Sequence, residues 1–257
     1  MIVSKLQGGL GNQLFQWAAA RSYAIKYNCE YKFDISFYPM QNLRKLLIPE
    51  FKNIKFDIFN NFKLNEPIYK IVYDFNYREI ENKPNHTIFL DGFWQSEKYF
   101  KENESYIKSD LLPSNDLINK ITTNYPINGD ITSIHVRRTD YVSSNGYHPV
   151  QSINYYENAL KIINKYDKIY IFSDDIEWCK SNLNFDNMVF IENQTNIEDL
   201  YLMSLCKNNI ISNSSFSWWA AWLNKNPDKK IVAPINWFGN HVNINSSDIV
   251  PNNWIKL

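Results

Sequence analysis

From residue 131 onward the chain alternates short apolar runs with amphipathic stretches, and that alternation restricts it to a parallel α/β architecture. Strands are expected at 131–136, 168–173, 188–191, 209–212 and 230–233, with helices near 154–166, 175–182, 196–207 and 217–224. Asn154 with Glu157, Asp174 with Glu177 and Thr195 with Glu198 each read as a helix cap followed three residues later by glutamate. Tyr156, Ala159, Leu160 and Ile163 recur at helical spacing and form one apolar face.

The first half follows the same rule less clearly. Residues 2–6 read as a strand, Gly8-Gly9-Leu10-Gly11 as a turn, and Asn12 as the cap of a helix reaching about Tyr27. Leu14, Trp17, Ala18, Arg21 and Ile25 mark that helix by their spacing. A second strand covers residues 30–33 and ends at Asp34. Pro39, Pro49, Pro67 and Pro84 punctuate residues 35–85, which read as an irregular region with short helices. Another strand covers 88–91, and a helix runs from Ser114 to about Thr123. The Pro126–Gly129 turn marks the expected division into halves 1–127 and 128–257.

A chain of 257 residues has room for one large α/β domain or two smaller ones. With 27 basic and 27 acidic side chains the formal charge is zero, which argues against a nucleic-acid partner. Cys29, Cys179 and Cys206 are odd in number and lack a C-x-x-C pair. They suggest neither a disulfide framework nor a zinc site, and read as small buried hydrophobes in a reducing compartment. No signal-peptide block is visible, and no apolar stretch approaches the roughly 20 residues of a membrane span. A cytoplasmic protein is expected, with peripheral attachment at a membrane left open.

Four segments carry candidate chemistry. His135-Val136-Arg137-Arg138-Thr139-Asp140 directly follows a strand, and ligands of open α/β sheets bind at the carboxyl ends of strands. Guanidinium forks onto phosphate oxygens with two parallel bonds, so the arginines suit an anionic leaving group; a plain surface pair is the alternative. Gly9-Leu10-Gly11 follows a strand and opens a helix, with Asp34 where a ribose-binding acid of a dinucleotide fold would sit. The third small residue of that fingerprint is replaced by Leu14, which disfavours nicotinamide or flavin. The plainer reading keeps backbone approach at the glycines and free N–H groups at Asn12-Gln13. Ser173-Asp174-Asp175 ends a strand, where the carboxylates either meet a ligand or cap the next helix; Glu192-Asn193 ends another, where a purine edge could be read. Asn213-Ser214-Ser215-Phe216-Ser217 precedes an apolar helix, the arrangement that aims N–H groups and hydroxyls at phosphate. Trp218, Trp219 and Trp222 read as core rather than ligand-stacking rings. His148 lies in the loop after the arginines, whereas His86 and His241 read as structural or surface residues. No D-x-D occurs to hold magnesium on a diphosphate.

Together these segments resemble the α-1,2-fucosyltransferases that use GDP-fucose. Residues 8–16 (GGLGNQLFQ) are similar to that family's amino-terminal motif and residues 92–100 (GFWQSEKYF) to its middle motif. His135–Tyr141 resembles the arginine motif shared with α-1,6- and protein O-fucosyltransferases, while 172–175 and 213–219 resemble the remaining two. The resemblance runs in order from residue 8 to about 223. It implies a two-domain GT-B-type fold with Rossmann-like halves facing a cleft, an acceptor-side first half and a GDP-sugar-binding second half. It also implies inverting transfer of fucose to the 2-hydroxyl of a galactose-terminated oligosaccharide or polysaccharide, with no metal and no cofactor beyond the donor. By resemblance Arg137 contacts the diphosphate, His135 the nucleotide, Ser214 and Ser215 the phosphates, and Asn12 the sugar–diphosphate. Gly9, Gly11, Gln13, Arg138, Ser173, Asp174, Asn193 and Phe216 complete the expected donor site. Asp140 is expected to orient an arginine, and Asp34, Trp94 and His148 are acceptor-side candidates. The α-1,6 relatives carry a glutamate suited to be a base where this chain has Asn145, so the base stays open among Asp34, Asp91, Asp140 and His148. Two alternatives remain: a non-catalytic nucleotide-sugar or glycan-binding protein, and transfer of another GDP-deoxysugar or in another linkage.

Overall fold

The computed structural model describes residues 1–60, 66–72 and 75–257. The expectation for residues 35–85 lies outside the described residues at 61–65 and 73–74. The chain forms two compact units, Met1–Leu112 with Ser247–Pro251, and Pro113–Ser246 with Asn252–Leu257.

The first unit is built on β1 (Ile2–Lys5), α1 (Leu10–Lys26), β2 (Tyr31–Asp34), β3 (Ile68–Val72), β4 (Thr87–Asp91) and α2 (Glu104–Asp110). Its strands are all parallel, in the order β2-β1-β4-β3. Helix α1 is buried almost all round, from Leu10 to Ala20 except at Asn12, as befits a helix whose apolar positions exceed one stripe. It begins two residues earlier than Asn12, with Gly9 at the cap position and no side chain capping it. The reason is Gly8: its φ of +80° reverses the chain, and a Cβ there would meet Asn12 Nδ2 at 2.7 Å. Strand β3 was not expected, because Ile68–Val72 is a largely exposed edge strand without the alternation a half-buried strand shows.

The second unit contains α3 (Asn115–Asn124), β5 (Ile131–Val136), α4 (Thr139–Val142), α5 (Ile153–Ile163), β6 (Lys168–Ser173), α6 (Ile176–Asn182), β7 (Met188–Phe190), α7 (Asn196–Leu205), β8 (Asn208–Ile210), α8 (Ser215–Leu223), β9 (Ile231–Ala233) and β10 (Ile255–Lys256). Its sheet is parallel throughout, in the order β10-β9-β8-β5-β6-β7. All six residues of β5 are buried, as expected of a central strand covered on both faces. Its polar members are satisfied internally: Asn209 Nδ2 donates to Ser133 Oγ at 2.7 Å and Asn208 Nδ2 to Thr132 Oγ1 at 3.4 Å. The apolar face of α5 (Tyr155, Tyr156, Ala159, Leu160, Ile163) packs with Ile134, Val136, Ile169, Ile171 and Val232. Trp218, Trp219 and Trp222 are buried, with Trp218 also packed on Trp254 at 5.4 Å.

Two caps differ from expectation by one or two residues. Helix α5 is capped by Ser152, whose Oγ accepts from Tyr155 N at 3.3 Å, and α6 by Asp175, which accepts from Trp178 N at 3.3 Å. Asp174 is thereby free for another task. The Thr195–Glu198 box is complete, with Glu198 N donating to Thr195 Oγ1 at 3.3 Å and Thr195 N to Glu198 Oε2 at 2.6 Å.

The units divide at Leu112–Pro113 rather than in the 126–129 turn. Helix α3 belongs to the second unit because Lys120 pairs with Glu198 of α7 at 2.5 Å and the Tyr125 hydroxyl donates to Glu192 O at 3.1 Å. The turn itself is tied to β6 by the Tyr170 hydroxyl, which donates to Pro126 O at 2.6 Å. All three cysteines are free; Cys179 and Cys206 are buried and Cys29 is half-buried. Among the described residues, no helix is long and apolar enough to cross a membrane.

Candidate functional site

In the second unit the chain moves outward from β5 to β6 and β7, then returns to the other flank of β5 as β8. The reversal places a switch point between β5 and β8, where the loops after the two strands diverge and open sheets bind their ligands. Those loops carry Arg137 and Arg138 on one side and Ser212–Ser214 on the other.

The arginines are held, not waving in solvent. Arg137 donates from Nη2 to Asp140 Oδ1 at 2.6 Å and from Nη1 pairs with Asp174 Oδ2 at 3.1 Å. Its guanidinium carbon lies 5.5 Å from the Tyr141 ring centroid. Arg138 is turned onto α6, 3.8 Å above the Trp178 ring with Nε 3.3 Å from Asp175 Oδ2. Asp174 is the hub: it accepts from Arg138 N at 2.9 Å, from Thr139 N at 3.2 Å and from the Thr139 hydroxyl. Burial pushes its carboxyl up, but the Thr139 hydroxyl, Arg137 and the Arg138 N–H outweigh that and hold it below the usual range. The two guanidiniums therefore face three carboxylates, a balance that the adjacent arginines of the sequence do not reveal.

Across the switch point His135 is buried, with Nδ1 2.9 Å from Ser212 Oγ and its ring 5.7 Å from that of Phe216. Burial, reinforced by the Arg137 charge, pulls its pKa down to about 3, so the imidazole is neutral at physiological pH. Ser214 occupies the cap position of α8 without using its side chain as a cap. The first-turn N–H groups of a nine-residue helix, Ser215 and Phe216 among them, are thus left open beside Arg137's strand. The loop is fixed from behind: Asn213 Nδ2 donates to Trp237 O at 3.0 Å, and its carbonyl accepts from the Tyr141 hydroxyl at 2.9 Å.

The remaining residues singled out in the sequence are distributed as follows. Ser173 Oγ accepts from Asp175 N at 2.9 Å, and Asn193 is exposed with φ +59° after β7. In the first unit Gly9 borders open space, since an added Cβ would meet nothing within 4 Å, and Gly11 is buried inside α1. Gln13 is a structural clamp, donating to Gly8 O and Lys45 O and accepting from Leu47 N and Ile48 N. Asn12 Oδ1 accepts from Gln95 Nε2 at 2.8 Å. Trp94 is 2% exposed and packs edge-on against Tyr99 at 5.2 Å, so its ring is core rather than a sugar platform.

Of the base candidates, Asp34 accepts from Ser36 N at 2.9 Å, while Asp140 is engaged with Arg137. Asp91 is paired with Lys70 at 2.6 Å and Lys5 at 3.6 Å; burial pushes its carboxyl up, but these lysines hold it below the usual range. His148 sits in an aromatic cage, stacked on Tyr141 at 4.6 Å, with Tyr147 and Phe238 at 4.8 and 5.3 Å. Burial lowers its pKa, with Arg137 adding to the effect against Asp140.

Asp199 escaped sequence reasoning. This residue, in the first turns of α7, has a buried Oδ1 without a hydrogen-bond partner among the described residues, and Gln194 Oε1, in the loop that leads into α7, is likewise buried without one. Burial, with the Glu198 charge adding to it, pushes the Asp199 carboxyl up to about 7. Helix α7 starts from the carboxyl edge of the same sheet and packs along α8. No motif marks Asp199; the only signal was an acid second to the capping glutamate of an otherwise apolar helix.

Two all-parallel units of this kind, with ligand-type loops at the strand ends, have counterparts of known structure. The NodZ α-1,6-fucosyltransferase of Bradyrhizobium, co-crystallized with GDP, matches at TM-score 0.57 and 16% identity over 85% of this chain and 90% of that one. ADP-heptose LPS heptosyltransferase II of E. coli matches at TM-score 0.56 and 11% identity over 100% of this chain and 89% of that one. The fold is that of a GT-B-like glycosyltransferase. The sequence pattern of Glycosyl transferase family 11 matches residues 1–257, and the chain belongs to that family. An α-1,2-colitosyltransferase of Escherichia coli is 32% identical over 292 aligned residues, spanning 100% of this chain and 99% of the relative.

Proposed function

We propose that this glycosyltransferase moves L-fucose from GDP-fucose to the 2-hydroxyl of a galactoside, inverting the anomeric centre without a metal ion. The observation that carries the reading is Arg137, held by two carboxylates at the end of β5 beside the uncapped start of α8. As the C1–O bond breaks, its electron pair goes to the diphosphate oxygen. Arg137 and the α8 N–H groups stabilise that charge without having to reorganise, commonly the largest catalytic term. The acceptor hydroxyl attacks the opposite face of the oxocarbenium-like centre, and its proton passes to water as the new C1–O bond forms. Gln194 and Asp199 offer two lone-pair acceptors suited to the N–H donors of guanine.

A second donor is favoured by a specific finding, the full-length similarity to an α-1,2-colitosyltransferase. Colitose is the 3-deoxy counterpart of fucose, so the two readings differ by a single hydroxyl of the transferred sugar. The test is incubation with GDP-fucose or GDP-colitose and a panel of galactosides, following GDP release with and without EDTA and the product linkage by NMR. Fucose in an α-1,2 linkage, insensitive to EDTA, is the expected result. Preference for GDP-colitose transfers the reading to the second donor; donor binding with no GDP release points to a binding protein instead.

The Asp199 reading predicts a proton-linked affinity. Guanine favours the ionised carboxylate, so GDP affinity should rise about tenfold per pH unit below 7 and level off above it, measured by calorimetry. Asp199→Asn should flatten that profile. Because the folded-state pKa lies above the ordinary 3.8, Asp199 favours the apo fold below about pH 4 and loses that contribution as pH rises through 7. The Asp199→Asn apo protein should accordingly melt a few degrees above the parent at pH 8 and level with it at pH 4.

A further inference from the structure

The first unit has a switch point of its own. β1 is flanked by β2 on one side and β4 on the other, so the loops after β1 and β4 diverge at the carboxyl edge of the sheet. One loop is Gly8-Gly9 leading into α1, a 17-residue helix with no side-chain cap and open space over Gly9. The other is Gly92–Gln95 after β4. Trp94 there has φ +55°, a conformation that costs a bulky L-residue energy and persists only when the surroundings enforce it. Here its ring is locked in the core against Tyr99, and Ser96 N donates to Trp94 O at 2.8 Å. The turn thereby sends the next side chain, Gln95, towards the first turn of α1, where Nε2 donates to Asn12 Oδ1.

Gln95 is only 7% exposed, yet its Oε1 has no hydrogen-bond partner among the described residues. A buried carbonyl left without a donor costs free energy, and a strained turn that puts one beside an open helix start calls for a ligand. The chemistry of that ligand follows from the atom. Oε1 only accepts, so it repels a phosphate oxygen, which has no proton to give at neutral pH. It suits a group that both donates and accepts, because the helix N–H groups beside it only donate. Within a glycosyltransferase, that group is a sugar hydroxyl.

We propose that Gln95, aimed by the strained Trp94 turn and steadied by Asn12, is a specificity-determining residue whose Oε1 accepts a hydrogen bond from one pyranose hydroxyl of a substrate. The hydroxyl belongs either to the transferred deoxyhexose or to the acceptor, and the experiment separates the two. The assignment rests on the transferase reading above, and its test starts from the activity of the parent enzyme.

Kinetics of the parent and Gln95→Ala are compared with the intact substrates, with a donor lacking the 3-hydroxyl, and with acceptors lacking one hydroxyl each. The expected result is a kcat/KM about tenfold to a hundredfold lower for Gln95→Ala on intact substrates. For one deoxy substrate only, that difference should vanish, because the hydroxyl and its partner have been removed together. A vanishing difference in the donor series identifies the deoxyhexose, and one in the acceptor series identifies the acceptor. Gln95→Glu keeps an acceptor oxygen, loses the Nε2 donor and is steadied by a rotated Asn12 amide donating to its second oxygen; it should retain discrimination against that same deoxy compound, which covers the case of a poorly folding alanine variant. Full activity of Gln95→Ala, or an equal loss on every analogue, overturns the proposal. If the parent transfers neither donor, the proposed function fails instead. Binding of methyl fucoside and methyl galactoside by NMR then tests Gln95 alone, and unchanged affinity for both in Gln95→Ala overturns it.

Discussion

Replacing Arg137 by lysine is expected to lower turnover by at least about a hundredfold, the usual cost of losing one preorganised donor to a developing oxyanion. The charge is kept, so the loss isolates geometry. Arg137 reaches Asp140 through Nη2 and Asp174 through Nη1 at once, spanning two carboxylates and leaving further N–H groups for a diphosphate. A lysine ammonium is a single point on a flexible stem and cannot hold both partners while presenting a fork. Initial rates at saturating donor, alongside thermal melting and far-UV circular dichroism, provide the check. A fold unchanged and a turnover near that of the parent would remove Arg137 from the mechanism.

The second large effect is expected at a residue that need not touch substrate. Asp174→Ala removes the acceptor of the Arg138 and Thr139 N–H groups and of the Thr139 hydroxyl, together with one anchor of Arg137. Truncating this multiply bonded carboxylate, which lies at the solvent-facing end of β6, should cost about 1–2 kcal/mol of stability at pH 7. It should also lower turnover about as much as the Arg137 substitution does, since the guanidinium loses its fixed direction. The carboxyl's pKa is depressed in the fold, so its contribution is present above the ordinary value of 3.8 and fades as pH falls through the lower folded value. The melting difference between parent and Asp174→Ala should therefore be full at pH 7 and shrink in strong acid. A difference that persists unchanged at low pH would mean the aspartate acts by packing alone.

The architecture was legible where burial is continuous. β5 to β9 and their crossover helices read correctly because apolar runs and amphipathic faces alternate without interruption. Edges were not: β3 is exposed, and β10 is only two residues long, so neither carries the pattern that burial imposes. Cap positions slipped where two competent residues adjoin. Ser152 displaced Asn154, and Asp175 displaced Asp174, because the backbone turn decides which side chain faces the helix start. The arginine motif announced an anion site, but its counter-ions come partly from the following strand, and one-dimensional reading does not bring β6 beside β5. Asp199 and Gln95 were invisible as site residues for a related reason. What distinguishes them is an oxygen without a partner, a property of packing rather than of spacing.

On the proposed reading of the arginine pair as the donor's anion site, the three carboxylates gathered around it have a consequence for how that donor is selected. With its cations already compensated, that locus casts little long-range field, so it neither gathers stray anions nor steers a nucleotide sugar from a distance. Recognition falls to directional bonding after encounter. Free phosphate and unrelated nucleotides, which satisfy only part of the array, would leave almost as readily as they arrive.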